Sequence, residues 1–96
     1  MTNYPADMDP ECVKLCDALN ALPGVTTTES CSGHDKEPFC IFFNCSSLES
    51  LSTIASTIDW PDWKIGVGFL DGLYFVLRGP PGAYEQADNL AEFFIA

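Results

Sequence analysis

Basic residues are scarce in this chain of 96 residues, which has four of them against fourteen acids and a formal net charge of −10. The four cations are Lys14, Lys36, Lys64 and Arg78. A protein that binds a nucleic-acid backbone or an anionic membrane needs a cluster of basic side chains. The sequence therefore predicts no direct nucleic-acid contact and no membrane partner.

Long apolar runs are also lacking. The two longest, Phe39–Phe43 and Leu73–Leu77, have five residues each, whereas a membrane-spanning helix needs about 20. The first twelve residues contain no lysine or arginine, which is not the pattern of a secretory signal peptide. We therefore expect a cytoplasmic protein.

The length and mass, 96 residues and 10.5 kDa, are typical of one domain. We expect residues 1–96 to form a single domain, with residues 1–8 as a flexible tail. A folded chain of this size buries roughly 64% of the surface of the unfolded chain, which is enough for one core.

The acids are spread evenly along the chain, and this favours a role in solubility. An acidic surface that mimics nucleic acid is the alternative.

Five cysteines are present, at positions 12, 16, 31, 40 and 45. An odd number without a secretion signal predicts free thiols in a reducing compartment. Cys12 and Cys16 lie four residues apart, as on one helical face, so we expect both to pack in the core.

Apolar spacing and turn residues predict seven elements in the order helix, two strands, helix, two strands, helix. The first helix is expected to begin at Asp9-Pro10 and to end before Pro23-Gly24. The second is expected to be capped by Ser46 or Ser47, and Ser46 with Glu49 fits a capping box. The strands are predicted at 25–31, 39–44, 63–70 and 73–78, and the last helix runs from Tyr84 to the C-terminus.

This order predicts an α+β fold with a four-stranded, mainly antiparallel sheet and helices packed on one face. Residues 39–55 and 73–91 share a strand, loop and amphipathic-helix pattern, with the strands related by an offset of 34. The pattern favours an internal repeat of two strand-strand-helix units. The alternative is that any two such units share the same apolar spacing.

The last two strands are expected to form a hairpin around a two-residue turn, Asp71-Gly72. This turn would place Phe69 opposite Tyr74, and both faces of the hairpin would then be apolar. Because helices on one side cover only one face, the second face predicts a homodimer through an apolar sheet face. The alternative is that the first helix crosses over and covers it.

The densest polar segment is 30–35, at the end of the first predicted strand. Its candidate ligand-binding residues are Ser30, Cys31, Ser32, Gly33 and His34, and a glycine there permits a turn whose amides bind an anion. Cys31 with His34, the only histidine, is the candidate catalytic pair for thiol chemistry. Residues of these types also build ordinary hairpin loops.

Two further candidates concern ligands of other kinds. Arg78 ends an apolar strand and could bind a carboxylate or a phosphate, or pair with one of the many acids. Cys31 and His34 have C-x-x-H spacing and Cys40 could join them, but zinc needs four ligands and no second close pair follows. No nucleotide-binding or metalloprotease motif is present. We therefore predict no metal and no cofactor.

The segment Leu22–His34, which ends in Ser30-Cys31-Ser32-Gly33-His34, with the strand Phe39–Phe43 after it, resembles small uncharacterised bacterial and phage proteins. Those proteins carry a strand that ends in Ser-Cys-x-Gly-His and then a strand of the F-x-I-x-F kind. The tetrapeptide Ser30–Gly33 is also similar to the Ser-Cys-Ser-Gly motif of the wybutosine-synthesising tRNA methyltransferases, where arginine follows in place of His34. The first resemblance implies an accessory protein without an assigned activity. The second implies methyltransferase-like chemistry at Cys31.

Three hypotheses follow from the sequence. The first is a small acidic binding or interaction module, of bacterial or phage accessory type, whose working surface includes the Ser30–Asp35 loop. The second is a small enzyme that uses Cys31 with His34, and the third is an acidic mimic of nucleic acid.

We expect all five cysteines to be reactive in freshly prepared protein that is denatured without reductant, because an odd, unsecreted set of thiols has no oxidising partner. Titration with a thiol-specific chromophore tests this expectation. Fewer than five reactive thiols per chain would contradict it.

Overall fold

The computed structural model of the chain describes residues 10–31, 33, 36–58 and 62–95. Three helices and four strands follow one another in the predicted order. The elements are α1 (Pro10–Asn20), β1 (Val25–Cys31), β2 (Phe39–Cys45), α2 (Leu48–Thr57), β3 (Lys64–Phe69), β4 (Leu73–Gly79) and α3 (Tyr84–Ile95). Among the described residues, no helix is long and apolar enough to cross a membrane.

The four strands form one antiparallel sheet in the order β1-β2-β4-β3. Helix α1 packs against α3 and β1, and α2 packs against α3 and β2, so the predicted α+β class with helices on one face is confirmed. The core lies between the helices and this inner face of the sheet. Its fully buried large side chains include Leu15, Leu19, Phe39, Ile41, Phe43, Ile54, Leu77 and Leu90.

The central pair of strands lies between two hairpins. Ile41 pairs with Leu77, and Phe43 pairs with Phe75. Strand β1 flanks β2 at one edge of the sheet, and β3 flanks β4 at the other. The sheet therefore places the two predicted strand-strand-helix units side by side, and the internal repeat stays a prediction.

The hairpin of β3 and β4 differs from the expected one by one position. Phe69 pairs with Leu73, not with Tyr74, and the connection is the three residues 70–72. The amide of Leu70 donates to the carbonyl of Gly72 at 3.0 Å, and Asp71 takes the left-handed conformation at φ 57°. Because side chains alternate between faces, a slip of one residue regroups both faces.

The regrouped hairpin has one apolar face and one mixed face. Toward the helices lie Ile65, Val67, Phe69, Leu73, Phe75 and Leu77, and on the outer face lie Lys64, Gly66, Gly68, Tyr74, Val76 and Arg78. The predicted second face, with its run of large apolar side chains, is therefore wrong. The alternative, in which α1 crosses over to cover that face, is also wrong, because α1 packs on the inner side with α3.

Glycines let the outer face pack closely against itself. A Cβ atom on Gly68 would collide with the ring of Tyr74, and one on Gly66 would lie 3.0 Å from a methyl carbon of Val76. Tyr74 also contacts Phe42 on β2, with ring centroids 5.9 Å apart. These contacts leave Val76 only 7% exposed, although none of the three described helices packs on this face.

Helix α1 ends at Asn20, before the predicted end at Leu22. Of the two predicted caps of α2, Ser47 is the one observed, and its hydroxyl accepts from the Ser50 amide at 3.2 Å. Ser46 instead contacts the turn after α1, where its amide donates to the carbonyl of Gly24 at 3.0 Å.

A β-bulge interrupts β1. Thr27 pairs with Phe43 and Glu29 pairs with Phe42, so Thr28 has no partner of its own. Asn20 holds the strand just before the bulge: its side-chain oxygen accepts from the Thr27 amide at 2.8 Å, and its side-chain nitrogen donates to the Thr27 hydroxyl at 2.8 Å. One asparagine therefore links the end of α1 to the irregular part of β1.

We expect Asn20→Ala to lower the free energy of unfolding by about 1–3 kcal/mol, because it leaves a part-buried amide of Thr27 without its acceptor. Asn44→Ala is the matched control, since Asn44 is exposed and should change stability by less than about 0.5 kcal/mol. Urea unfolding of the three proteins provides the comparison. Equal losses in the two variants would show that Asn20 does not hold β1.

Candidate functional site

The predicted polar site begins at the end of β1, where consecutive residues point to opposite faces. Ser30 pairs with Ile41, which is fully buried, so its side chain lies on the inner face. Cys31 pairs with Cys40 on the outer face, and both thiols are partly exposed. Ser30 and Cys31 therefore do not face a common ligand.

On the inner face, Ser30 contacts a buried thiol. Cys16 is 1% exposed, and burial raises its pKa from 9.0 to about 11. Hydrogen bonds with the side chains of Ser30 and Thr27 act in the opposite direction, because they favour the thiolate. Ser30, a predicted ligand-binding residue, thus packs between α1 and the sheet.

Gly33 shapes the return of the chain toward β2. It has φ +79°, and a Cβ atom there would lie 3.0 Å from the carbonyl oxygen of Pro38. Its carbonyl accepts from the amides of Lys36 and Glu37 at 2.9 and 3.0 Å. Its amide lies 3.4 Å from the Cys31 sulfur and donates to it, so this amide already has an acceptor within the chain.

The other members of the segment, Ser32, His34 and Asp35, lie outside the described residues. The catalytic pair Cys31–His34, the anion-binding turn and the C-x-x-H metal site therefore stay predictions. Among the described residues, no group of three metal-ligating side chains is found.

Four side chains, one from each strand, form a row across the outer face of the sheet. Cys31 pairs with Cys40, Cys40 with Arg78, and Arg78 with Lys64. Neighbouring strands lie about 4.8 Å apart, so Arg78 is roughly 10 Å from Cys31. This row, which we call the thiol–cation row, joins the candidates Cys31, Cys40 and Arg78.

Arg78 is exposed, and no carboxylate of the described residues forms a salt bridge with it. The expected pairing with an acid is thus not seen in this part of the chain, whereas Lys14 does pair with Glu92 at 3.1 Å. Half of the cations in the whole sequence, Lys64 and Arg78, occupy neighbouring positions in the thiol–cation row.

Cys45, the other cysteine of β2, does not reach this row. It lies five residues beyond Cys40, roughly 16 Å along the strand, and its thiol donates to the carbonyl of Ser47 at 3.1 Å.

A second surface lies at the opposite end of the sheet and was missed by sequence reasoning. Val67, Phe69, Leu70 and Leu73 are 66%, 79%, 80% and 56% exposed. Three of them point to the helix side, but the helices leave them uncovered. We call these four side chains the hairpin patch. The apolar runs of the hairpin predicted strands but not their exposure, because exposure depends on where the helices end.

Comparison of the chain with protein-family models, curated proteins and solved structures gives no match. The resemblances of the Ser30–His34 segment therefore stay predictions, as do the enzyme and the nucleic-acid mimic.

The raised pKa of Cys16 predicts a specific alkaline instability. Because the folded state holds this pKa at about 11, above the value of 9.0 in the unfolded chain, the stabilisation by the neutral thiol is complete below pH 9 and is lost as the pH rises towards 11. We expect unfolding free energies measured between about pH 8 and about pH 10.5 to fall less for Cys16→Ala than for the parent chain.

Cys45→Ala is the control and should show the same alkaline fall as the parent chain, since it leaves Cys16 in place. If Cys16→Ala and the parent chain lose stability in parallel, another group causes the alkaline fall.

Proposed function

We propose that this chain is a small acidic interaction module that works as a dimer of two identical copies joined through the β3–β4 hairpin. The observation that carries the proposal is the hairpin patch, four large apolar side chains exposed within seven residues. An exposed apolar cluster of this kind marks a contact surface in a protein that is otherwise well packed.

The local charge favours a second copy of the chain as the partner. Residues 62–79 contain two acids, Asp62 and Asp71, and two bases, Lys64 and Arg78, so this region has no net charge. The rest of the chain carries twelve acids and two bases. Two copies would repel each other at most other surfaces, and the hairpin is where they approach without that cost.

The two edges of the sheet also differ. At one edge, β1 carries the bulge at Thr28 and the charge of Glu29, and both features discourage pairing with another strand. At the other edge, β4 is the one described strand that pairs with β3, and residues 65–69 of β3 carry no charge. An uncharged edge strand without a bulge is a template for a further strand.

Antiparallel pairing of β3 with a second β3 would extend the sheet to eight strands. It would bring the Lys64 end of each strand next to the Asp71 end of the other copy, and opposite charges would then face each other on both sides of the axis. A twofold interface repeats each favourable contact in this way. This complementarity supports a second copy rather than an unrelated extended peptide.

The proposed dimer leaves the end of β1 outside the interface. Cys31 lies at the far side of the sheet from β3, on the opposite edge strand. A dimer built on β3 would therefore carry one Cys31 at each outer edge, and the predicted working surface that begins at Ser30 would be present twice.

We expect the parent chain to sediment as a dimer at micromolar concentration and Phe69→Glu to sediment as a monomer, with a dissociation constant raised at least about 100-fold by the loss of a central aromatic contact. Phe93→Glu is the matched control: Phe93 is 61% exposed on α3, and this change should leave the dimer intact. Sedimentation equilibrium over a hundredfold range of concentration is the measurement.

A monomer at every concentration for the parent chain would refute the proposal, and so would equal effects of the two substitutions.

Hydrogen exchange tests whether the two β3 edge strands pair with each other. Amides of β3 should become slower to exchange as the concentration rises, whereas amides of β1 should not.

A further inference from the structure

We propose that Cys31 and Cys40 form a reversible intramolecular disulfide when the protein meets a peroxide, and that the thiol–cation row is an oxidation site. The proposal rests on the placement of the two thiols and does not depend on the dimer.

The geometry of the sheet sets the distance between the two residues. Cys31 and Cys40 are direct partners in the antiparallel pairing of β1 and β2, so their side chains lie on the same face. Directly opposed residues in antiparallel strands have Cα atoms about 4.5 or about 5.5 Å apart. Disulfides span about 4.4–6.8 Å between Cα atoms, so either kind of pair lies within the range.

Solvent exposure distinguishes Cys31 and Cys40 from the other cysteines. Cys31 and Cys40 are partly exposed on the face of the sheet opposite to the described helices. Cys12 and Cys16 are 0% and 1% exposed in the core, where a peroxide does not reach them. Cys45 is at the other end of β2 and has no cysteine opposite it, because its partner is Val25.

The reaction balances with hydrogen peroxide as the oxidant. One thiolate attacks a peroxide oxygen, the O–O bond breaks, and a sulfenic acid and water form. The second thiolate then attacks the sulfenic sulfur, the S–S bond forms, and a second water leaves. Together the two thiols lose two electrons, and one peroxide molecule takes up these electrons and is reduced to two waters. A dithiol such as dithiothreitol reverses the reaction by exchange.

The bond would close a ring of ten residues, 31–40, that contains the predicted polar loop. It would tie the end of β1 to the start of β2 beside Arg78 and Lys64. Oxidation would therefore restrict the segment that the sequence marks as the candidate working surface, without a change in the core.

The experiment treats reduced, native protein with a small excess of hydrogen peroxide, blocks the remaining thiols after denaturation, and digests the chain with trypsin. Lys36 lies between the two cysteines, so cleavage after it places Cys31 and Cys40 in different peptides, 15–36 and 37–64. We expect a mass loss of about 2 Da from the intact chain and these two peptides linked. Three blocked thiols per chain remain, and dithiothreitol restores five.

Variants identify the bond within the linked peptides, which also contain Cys16 and Cys45. Cys16→Ser and Cys45→Ser should still form the link, whereas Cys31→Ser and Cys40→Ser should lose it. The two latter positions are partly exposed, and circular dichroism verifies that each variant is folded.

Four results would overturn the proposal: no loss of mass, a gain of oxygen on Cys31 or Cys40 in place of the bond, a link between two chains, or a link that survives Cys31→Ser. Fragmentation of the linked peptides of the unsubstituted chain by tandem mass spectrometry assigns the bonded cysteines, so the question is decided even if a variant fails to fold.

Discussion

The antiparallel pairing of β2 with β4 is the constraint on which the other elements depend. On its inner side, Phe43 stacks on Phe75 with centroids 5.6 Å apart, and Ile41 and Leu77 are fully buried under the helices. Each central strand has a hairpin partner on its outer edge and is followed by a helix that returns over the inner face. Once these two strands are in register, the positions of both units follow, because each unit is joined to the centre by short connections.

The order of the elements could be read from the sequence, because it depends on long, strongly periodic segments with turn residues between them. The register of the β3–β4 hairpin could not be read in this way, and the predicted one is wrong. Asp-Gly fits a two-residue turn, and the structure places Leu70 in the loop as a third residue. One residue of loop length decides which side chains share a face.

The arrangement of the candidate site depends on the bulge in β1, which decides the face of the sheet on which each side chain lies. Strict alternation from buried Val25 would place Cys31 on the inner face and Ser30 outside. The extra residue at the bulge, Thr28, exchanges the two faces for the residues after it, so that Ser30 contacts the core and Cys31 lies opposite Cys40 on the outer face. Nothing in a run of three threonines marks the bulge, since it lacks the glycine that often accompanies one. The polar segment was therefore found from its composition, but the partner of each side chain was not.

The β2–β4 pairing at the centre of the sheet, which forms the seam between the two strand-strand-helix units, has a consequence for how two copies of the chain can pair. Each unit presents the other with a central strand edge and an apolar inner face, and the chain between Ile58 and Asp62 connects them. Exchange of the first unit between two chains would keep every contact of the β2–β4 seam. Domain swapping across this seam is then limited by the reach of that short connection and by protein concentration, because the interface itself is the same in the closed and the exchanged forms.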